Sequence, residues 1–149
     1  MDGASLGNPG DGGAGVVLKD GEGRLIFKCG EYLGRVTNNQ AEYKALIRGL
    51  EEAKRRGWKD VLILTDSLLV TKQLEGAYKV RSEQLRQLHR RVQRLLEGFS
   101  SWRIKHIPRE ENREADRMAK EAAGRSGSGG RWPLWGPEES PSSRGQDGR

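Results

Sequence analysis

The chain has 149 residues, which suits one domain with its own core and is short for two. Hydrophobic residues make up 34% and charged residues 32%, no run approaches the roughly 18 apolar residues of a membrane span, and no basic-then-apolar leader opens the chain, so the expectation is a soluble cytoplasmic protein. A formal charge of +6 favours an acidic partner, nucleic acid first, and the single cysteine, Cys29, excludes a disulfide framework.

Residues 2–15 (Asp-Gly-Ala-Ser-Leu-Gly-Asn-Pro-Gly-Asp-Gly-Gly-Ala-Gly) read as a turn-rich loop whose glycines let the backbone approach a partner, with Asp2 in or just after a first strand. The stretch lacks the Lys-Ser/Thr ending of a phosphate-binding loop, which removes a nucleotide site. Residues 16–18 and 25–29, either side of Asp20-Gly21-Glu22-Gly23, predict a hairpin that places Cys29 in the core, and residues 30–36 extend or leave the sheet.

Residues 37–57 predict a helix. Tyr43, Leu46, Ile47, Leu50 and Ala53 share one face of a 3.6-residue period, and Gly57 is a C-terminal stop. Glu42 lies on the edge of that apolar face, since Leu46, Gly49 and Ala53 follow it by four, seven and eleven positions. Two roles are open to it: a capping box with Asn39 as N-cap, or a carboxylate pointed at whatever the helix packs on.

Residues 61–65 (Val-Leu-Ile-Leu-Thr) form an apolar run expected as a strand covered on both faces, ending at Asp66-Ser67. A helix is predicted over 68–74, a connector over 75–81 with a turn at Gly76, and a third helix over 82–97 capped by Ser82. That helix points Leu85, Leu88, Val92, Leu95 and Leu96 inward and Arg86, Arg90, Arg91 and Arg94 outward, as a solvated face. Trp102, Ile104 and His106 alternate with Arg103 and Lys105 in a last strand, and the parity makes His106 a packed residue. Pro108 ends it. The final helix starts near Arg109 or Glu110, buries Ala115, Met118, Ala119 and Ala122, and stops at Gly124. Residues 1–124 are thus expected as the domain and 125–149 as a flexible Gly/Ser/Pro-rich tail carrying Trp132 and Trp135.

Asp66 follows a buried strand, Glu42 and Asp116 border buried helical stripes, and Asp2 belongs to the first strand. Ligands of open α/β sheets collect beyond the carboxyl ends of strands, where these four carboxylates can converge. Converged carboxylates repel unless cations neutralise them. Oxygen ligands select Mg²⁺ or Mn²⁺, and one cysteine with two histidines argues against zinc. Two such ions roughly 3.5–4 Å apart suit phosphodiester hydrolysis.

Four blocks in order, residues 2–10 (Asp-Gly-Ala-Ser-Leu-Gly-Asn-Pro-Gly), 37–43 (Thr-Asn-Asn-Gln-Ala-Glu-Tyr), 65–67 (Thr-Asp-Ser) and 108–116 (Pro-Arg-Glu-Glu-Asn-Arg-Glu-Ala-Asp), resemble the signatures of the ribonuclease H type 1 family, especially its short archaeal and bacterial members. The resemblance covers residues 2–124 and implies an α/β fold with a five-stranded mixed sheet, three strands antiparallel and two parallel, flanked by helices. It implies hydrolysis of the RNA strand of an RNA/DNA hybrid to 5′-phosphate and 3′-hydroxyl ends; a monomer is expected. By position it makes Asp2, Glu42, Asp66 and Asp116 ligands of two Mg²⁺ or Mn²⁺ ions, and places Ser5, Asn8, Asn38 and Asn39 against the hybrid.

Three departures stand out. The loop before the last helix carries no histidine, so Arg109 is the candidate to act on phosphate as a fixed charge. The basic protrusion of longer members is absent, leaving Lys72, Lys79 and Arg81 for hybrid binding. Only Met1 precedes Asp2, so either the start is truncated or misassigned or the first strand is unusually short, with a free α-amino group then beside the carboxylates; about four apolar residues added before Asp2 should raise stability and activity. The alternatives are a noncatalytic nucleic-acid-binding domain of the same fold, which gains nothing from four clustered negative charges, and a module of a larger fusion protein.

Overall fold

The computed structural model describes residues 1–125; the expected tail with Trp132 and Trp135 lies outside the described residues from position 126 onward. Five strands and four helices follow in the order β1 (Asp2–Ser5), β2 (Gly10–Lys19), β3 (Leu25–Val36), α1 (Asn38–Arg55), β4 (Asp60–Thr65), α2 (Leu68–Leu74), α3 (Glu83–Leu96), β5 (Ser101–His106) and α4 (Arg113–Ala123), with a 3₁₀ turn at Arg109–Asn112 before α4. The expected three antiparallel and two parallel strands are present. They form two bonded units, an antiparallel β1-β2-β3 sheet and a parallel β4-β5 pair. The units meet at Met1, whose α-amino group donates to the Leu64 carbonyl at 3.3 Å.

The glycine-rich opening is strand rather than loop. Asp2 pairs with Gly15 and Ser5 with Gly12, and β2 runs on against β3 to Val36. Composition misled here because glycine also permits close contact between backbones. A Cβ on Gly3 would lie 2.2 Å from the Ala41 carbonyl carbon of α1, and one on Gly15 would lie 2.0 Å from the Ala115 carbonyl oxygen of α4. The partner these glycines admit is the chain's own helices. Gly15→Ala is therefore expected to lower Tm by about 3–10 °C in thermal unfolding, as overpacking costs about 1–3 kcal/mol. Gly21→Ala, whose Cβ meets nothing within 4 Å, should leave Tm in place.

The core lies between the antiparallel sheet, α1 and α3, and joins Val16, Phe27, Cys29, Tyr43, Leu46, Leu50, Ile63, Val92 and Leu96. Tyr43, Leu46, Ile47, Leu50 and Ala53 are buried as the period predicted, and Gly57 leaves α1 at φ +80°, the left-handed stop that glycine tolerates. Glu52, missed in the sequence, is buried under Arg48, Arg55 and Arg56, two of which also cover the Phe27 ring. In α3 only Val92 and Leu96 are fully buried, with Leu85, Leu88 and Leu95 packed at the core's edge.

Two burial expectations fail. β4 is covered on one face only: Ile63 and Thr65 are buried, whereas Leu62 is 54% and Leu64 40% exposed. The helix that would screen them, α4, packs on the antiparallel sheet instead. His106 is exposed, because β5 ends there and, among the described residues, nothing closes over its last residue; its Nε2 lies 3.2 Å from the Asp66 carbonyl oxygen.

Candidate active site

The capping question at α1 resolves at Thr37. Its hydroxyl accepts from the Gln40 amide at 3.1 Å, and the Gln40 side chain accepts from the Thr37 amide at 2.9 Å, so the N-cap is Thr37, two positions before the expected Asn39. Glu42 takes no part in that box. One turn further on, it faces β1, where Gly3 donates its amide to Glu42 Oε1 at 3.3 Å. The missing Cβ of Gly3 is what lets α1 sit this close.

Asp2 opens β1 and is only 3% exposed. Asp66 caps the end of β4, held by a turn in which buried Thr65 accepts from the Ser67 amide at 3.0 Å and Ser67 caps α2. Carboxylate oxygens of Asp2, Glu42 and Asp66 all lie within 4.8 Å of one another. Asp116 of α4 reaches the group through a hydrogen bond with Asp2, and Lys120 Nζ lies 3.2 Å from its Oδ2. Structure thus brings three of the four predicted carboxylates into one tight set and the fourth to its side.

Electrostatics follow from that crowding. Burial, then the Glu42 charge and the hydrogen bond with Asp116, push Asp2 up to about 10. Burial also pushes Glu42 up to about 7, against the Asp2 hydrogen bond and the Gly3 amide. Burial raises Asp116 as well, but the bonds from Asp2 and Lys120 outweigh it and hold the group below the usual carboxylate range. Asp66 Oδ2 is buried without a hydrogen-bond partner. The nearest cation is the Arg109 guanidinium, with Nε 3.8 Å away and the side chain 71% exposed. Oxygen donors gathered around one point, one of them without a hydrogen bond, fit a hard divalent cation.

The other predicted residues surround this set. Ser5 donates to the Val36 carbonyl at 3.1 Å and also contacts the Gly7 carbonyl, while Asn8 Oδ1 accepts from the Asn38 amide at 2.9 Å. These bonds tie the turn after β1 to the start of α1, where Asn8, Asn38 and Asn39 are exposed. Arg86 and Arg90 pair with Glu83, and Arg91 pairs with Glu51, as a solvated face would. Lys79 nonetheless joins Tyr78, Arg86, His89 and Arg90 around a shallow pocket of about 420 Å³ beside α2. Sequence reasoning passed over Asn112, buried before α4, whose Nδ2 donates to the Met1 carbonyl at 2.9 Å and braces the residue before Asp2. No period marks it; its place between a 3₁₀ turn and a helix was the available signal.

Carboxylates on the first strand, the first helix, the end of the fourth strand and the last helix define a ribonuclease H-like α/β protein with an oxygen-ligand site. A family model described as reverse transcriptase-like matches residues 1–122. The chain is 48% identical over 122 residues to the ribonuclease HI of Halobacterium salinarum, covering 82% of this chain and 61% of that protein. The crystal structure of RNase H1 from the same archaeon matches with a TM-score of 0.81 at 46% identity, covering 84% of this chain and 95% of that one. LC11-RNase H1, solved in complex with RNA/DNA hybrid, matches at 36% identity with a TM-score of 0.79, over 84% of this chain and 94% of that one. The bifunctional protein Rv2228c of Mycobacterium tuberculosis is 38% identical over 122 residues, covering 81% of this chain and 34% of that protein. This chain belongs to the ribonuclease H type 1 family. It spans 61% and 34% of the length of the two curated relatives named.

Proposed function

We propose that the protein is a ribonuclease H that hydrolyses the RNA strand of RNA/DNA hybrids with two Mg²⁺ or Mn²⁺ ions. The observation that carries this reading is the Asp2, Glu42 and Asp66 set, in which the buried Asp66 Oδ2 has no hydrogen-bond partner. Asp2, Glu42, Asp66 and Asp116 would hold the ions, which when bound supply an activated water and neutralise charge on the departing 3′ oxygen. In the net reaction water adds to phosphorus and the P–O3′ bond breaks, leaving 5′-phosphate and 3′-hydroxyl ends.

The chain's own residues account for the rest. Arg109 contributes a fixed positive charge at the rim, where a phosphate of the substrate can take the place of Asp66 against the guanidinium. Exposed Asn8, Asn38 and Asn39, with half-buried Ser5, offer short polar side chains one helical turn from Glu42. That suits reading of the 2′-hydroxyls across a wide, shallow minor groove, the feature that separates RNA from DNA. Lys79, Arg86 and Arg90 supply a second basic patch for the backbone. The 34% coverage of Rv2228c favours a second reading, in which the same domain works as one module of a longer protein.

The test is cleavage of end-labelled hybrid, duplex DNA and duplex RNA, each with Mg²⁺, Mn²⁺ or chelator. Only the hybrid with metal should be cut, and Asp66→Asn should lower the rate by at least about 100-fold, the equivalent of several kcal/mol of charge stabilisation. Metal-independent cleavage, or an unimpaired Asp66→Asn protein, would refute the proposal. Among the described residues no helix is long and apolar enough to cross a membrane.

A further inference from the structure

Asn112 occupies the N-cap position of α4, yet its side chain makes no capping bond. Asparagine is among the preferred residues at that position, because its side-chain oxygen can accept from the free amides of the first turn. Here the side chain is committed elsewhere. It is 7% exposed, and its Nδ2 donates to the Met1 carbonyl at 2.9 Å, across 111 positions of the chain. The peptide it holds is the one that leads into Asp2. Asp116 lies in the first turn of the helix that Asn112 opens, and shares a hydrogen bond with Asp2. Asp2 and Asp116 are thus tied twice, once between their carboxyl groups and once through the main chain and Asn112. The same short segment grips the backbone on either side of Asp66: the Ile107 amide donates to the Thr65 carbonyl at 2.9 Å, and His106 Nε2 lies 3.2 Å from the Asp66 carbonyl oxygen.

We propose that Asn112 is a positioning residue for the cation site, its bond to the Met1 carbonyl setting the spacing between Asp2 on β1 and Asp116 on α4. Packing alone leaves that spacing loose. Gly13 and Gly15 let the turns of α4 at Ala119 and Ala115 rest directly on β2, but present no side chain to interlock with them. They fix the height of the helix over the sheet more than its position along it. A part-exposed Lys28–Glu114 pair at 3.3 Å adds little. The buried Asn112 bond supplies the second coordinate, and supplies it four residues from Asp116. Residues that orient metal ligands without touching the metal change its affinity or the activity by about 10–100-fold when replaced. The inference rests on the reading of these carboxylates as a cation site.

The experiment places Asn112→Ser and Asn112→Ala in the full chain. Serine can cap α4 but is too short to reach the Met1 carbonyl; alanine can do neither. Calorimetric titration of the metal-free proteins with Mn²⁺ is expected to show Kd raised about tenfold in both variants. Hybrid cleavage at saturating Mn²⁺ should show kcat lowered about tenfold as well, with KM changed less than about twofold, because Asn8, Asn38 and Asn39 at the start of α1 are untouched. Should the alanine variant fail to fold, the serine variant carries the test. A serine variant with the Kd and kcat of the unaltered chain would overturn the proposal, since Asn112 would then serve the helix alone. So would unchanged Mn²⁺ affinity in both. Mn²⁺ binding is read without RNA, so an unaltered chain that cuts no hybrid, yet loses affinity on Asn112→Ser, would refute the nuclease reading and uphold the positioning role.

Discussion

Glu42→Gln is expected to reduce hybrid cleavage by about 10²–10³-fold without lowering the thermal midpoint. The two halves of that expectation come from different atoms. α1 is capped by Thr37 and Gln40, neither of which the substitution touches, and a glutamine at position 42 still offers a carbonyl oxygen to the Gly3 amide. The helix and its seat on β1 therefore survive. What disappears is one negative charge among carboxylate oxygens that lie within 4.8 Å of one another, and with it a ligand that a divalent cation binds far better than an amide. Thr37→Ala makes the complementary case. It removes the cap and should cost about 0.5–2 kcal/mol of stability, read as a lower Tm, with the rate per folded molecule retained. If Glu42→Gln kept full activity and Thr37→Ala lost it, the helix rather than the carboxylate would matter.

Stability of the metal-free protein is expected to fall as pH rises from about 5 to 9, and Mg²⁺ is expected to restore it increasingly over the same range. Burial first, then the neighbouring charges, raise Asp2 to about 10 and Glu42 to about 7. A carboxylate whose pKa is higher folded than unfolded binds its proton more tightly in the native state. Its stabilising contribution is present below the unfolded value near 4 and is lost as pH climbs through the folded one. For Glu42 that loss runs from the unfolded value near 4 to about 7, and for Asp2 it continues into the alkaline range. A cation binds the ionised form, so the Tm gain on adding millimolar Mg²⁺ should be larger at pH 8.5 than at pH 6. Asp2→Asn should flatten the metal-free decline and abolish most of the gain. Differential scanning fluorimetry with and without chelator measures both slopes; a Mg²⁺ gain that does not change with pH would contradict the cluster's assignment as the cation site.

Much of this protein is determined by its sequence alone. The 3.6-residue period of 37–57 carries the buried face of α1, the branched run 61–65 carries β4, and Ser82 and Gly57 mark helix ends where the structure has them. Local signals suffice for these because each is decided by near neighbours in the chain. The sequence also singles out Asp2, Glu42, Asp66 and Asp116 as candidates, of which the structure gathers the first three into one set, since acidic residues beside apolar stripes or at strand ends are costly unless something uses them.

Tertiary structure decided the rest. Glycines at 3 and 15 looked like loop because composition cannot distinguish a turn from a strand on which a helix must rest; only the 2.2 and 2.0 Å approaches to Ala41 and Ala115 show the second. Leu62 and Leu64 looked buried because an apolar run carries no information about which side lacks a neighbour. His106 looked packed because alternation does not reveal where a sheet stops. Convergence of Asp2, Glu42 and Asp66, drawn from positions up to 64 residues apart, depends on α1 crossing β1 at Gly3 and on β4 ending beside Met1. Those are contacts between elements, and the free energy that sets them belongs to packing rather than to any stretch of the chain.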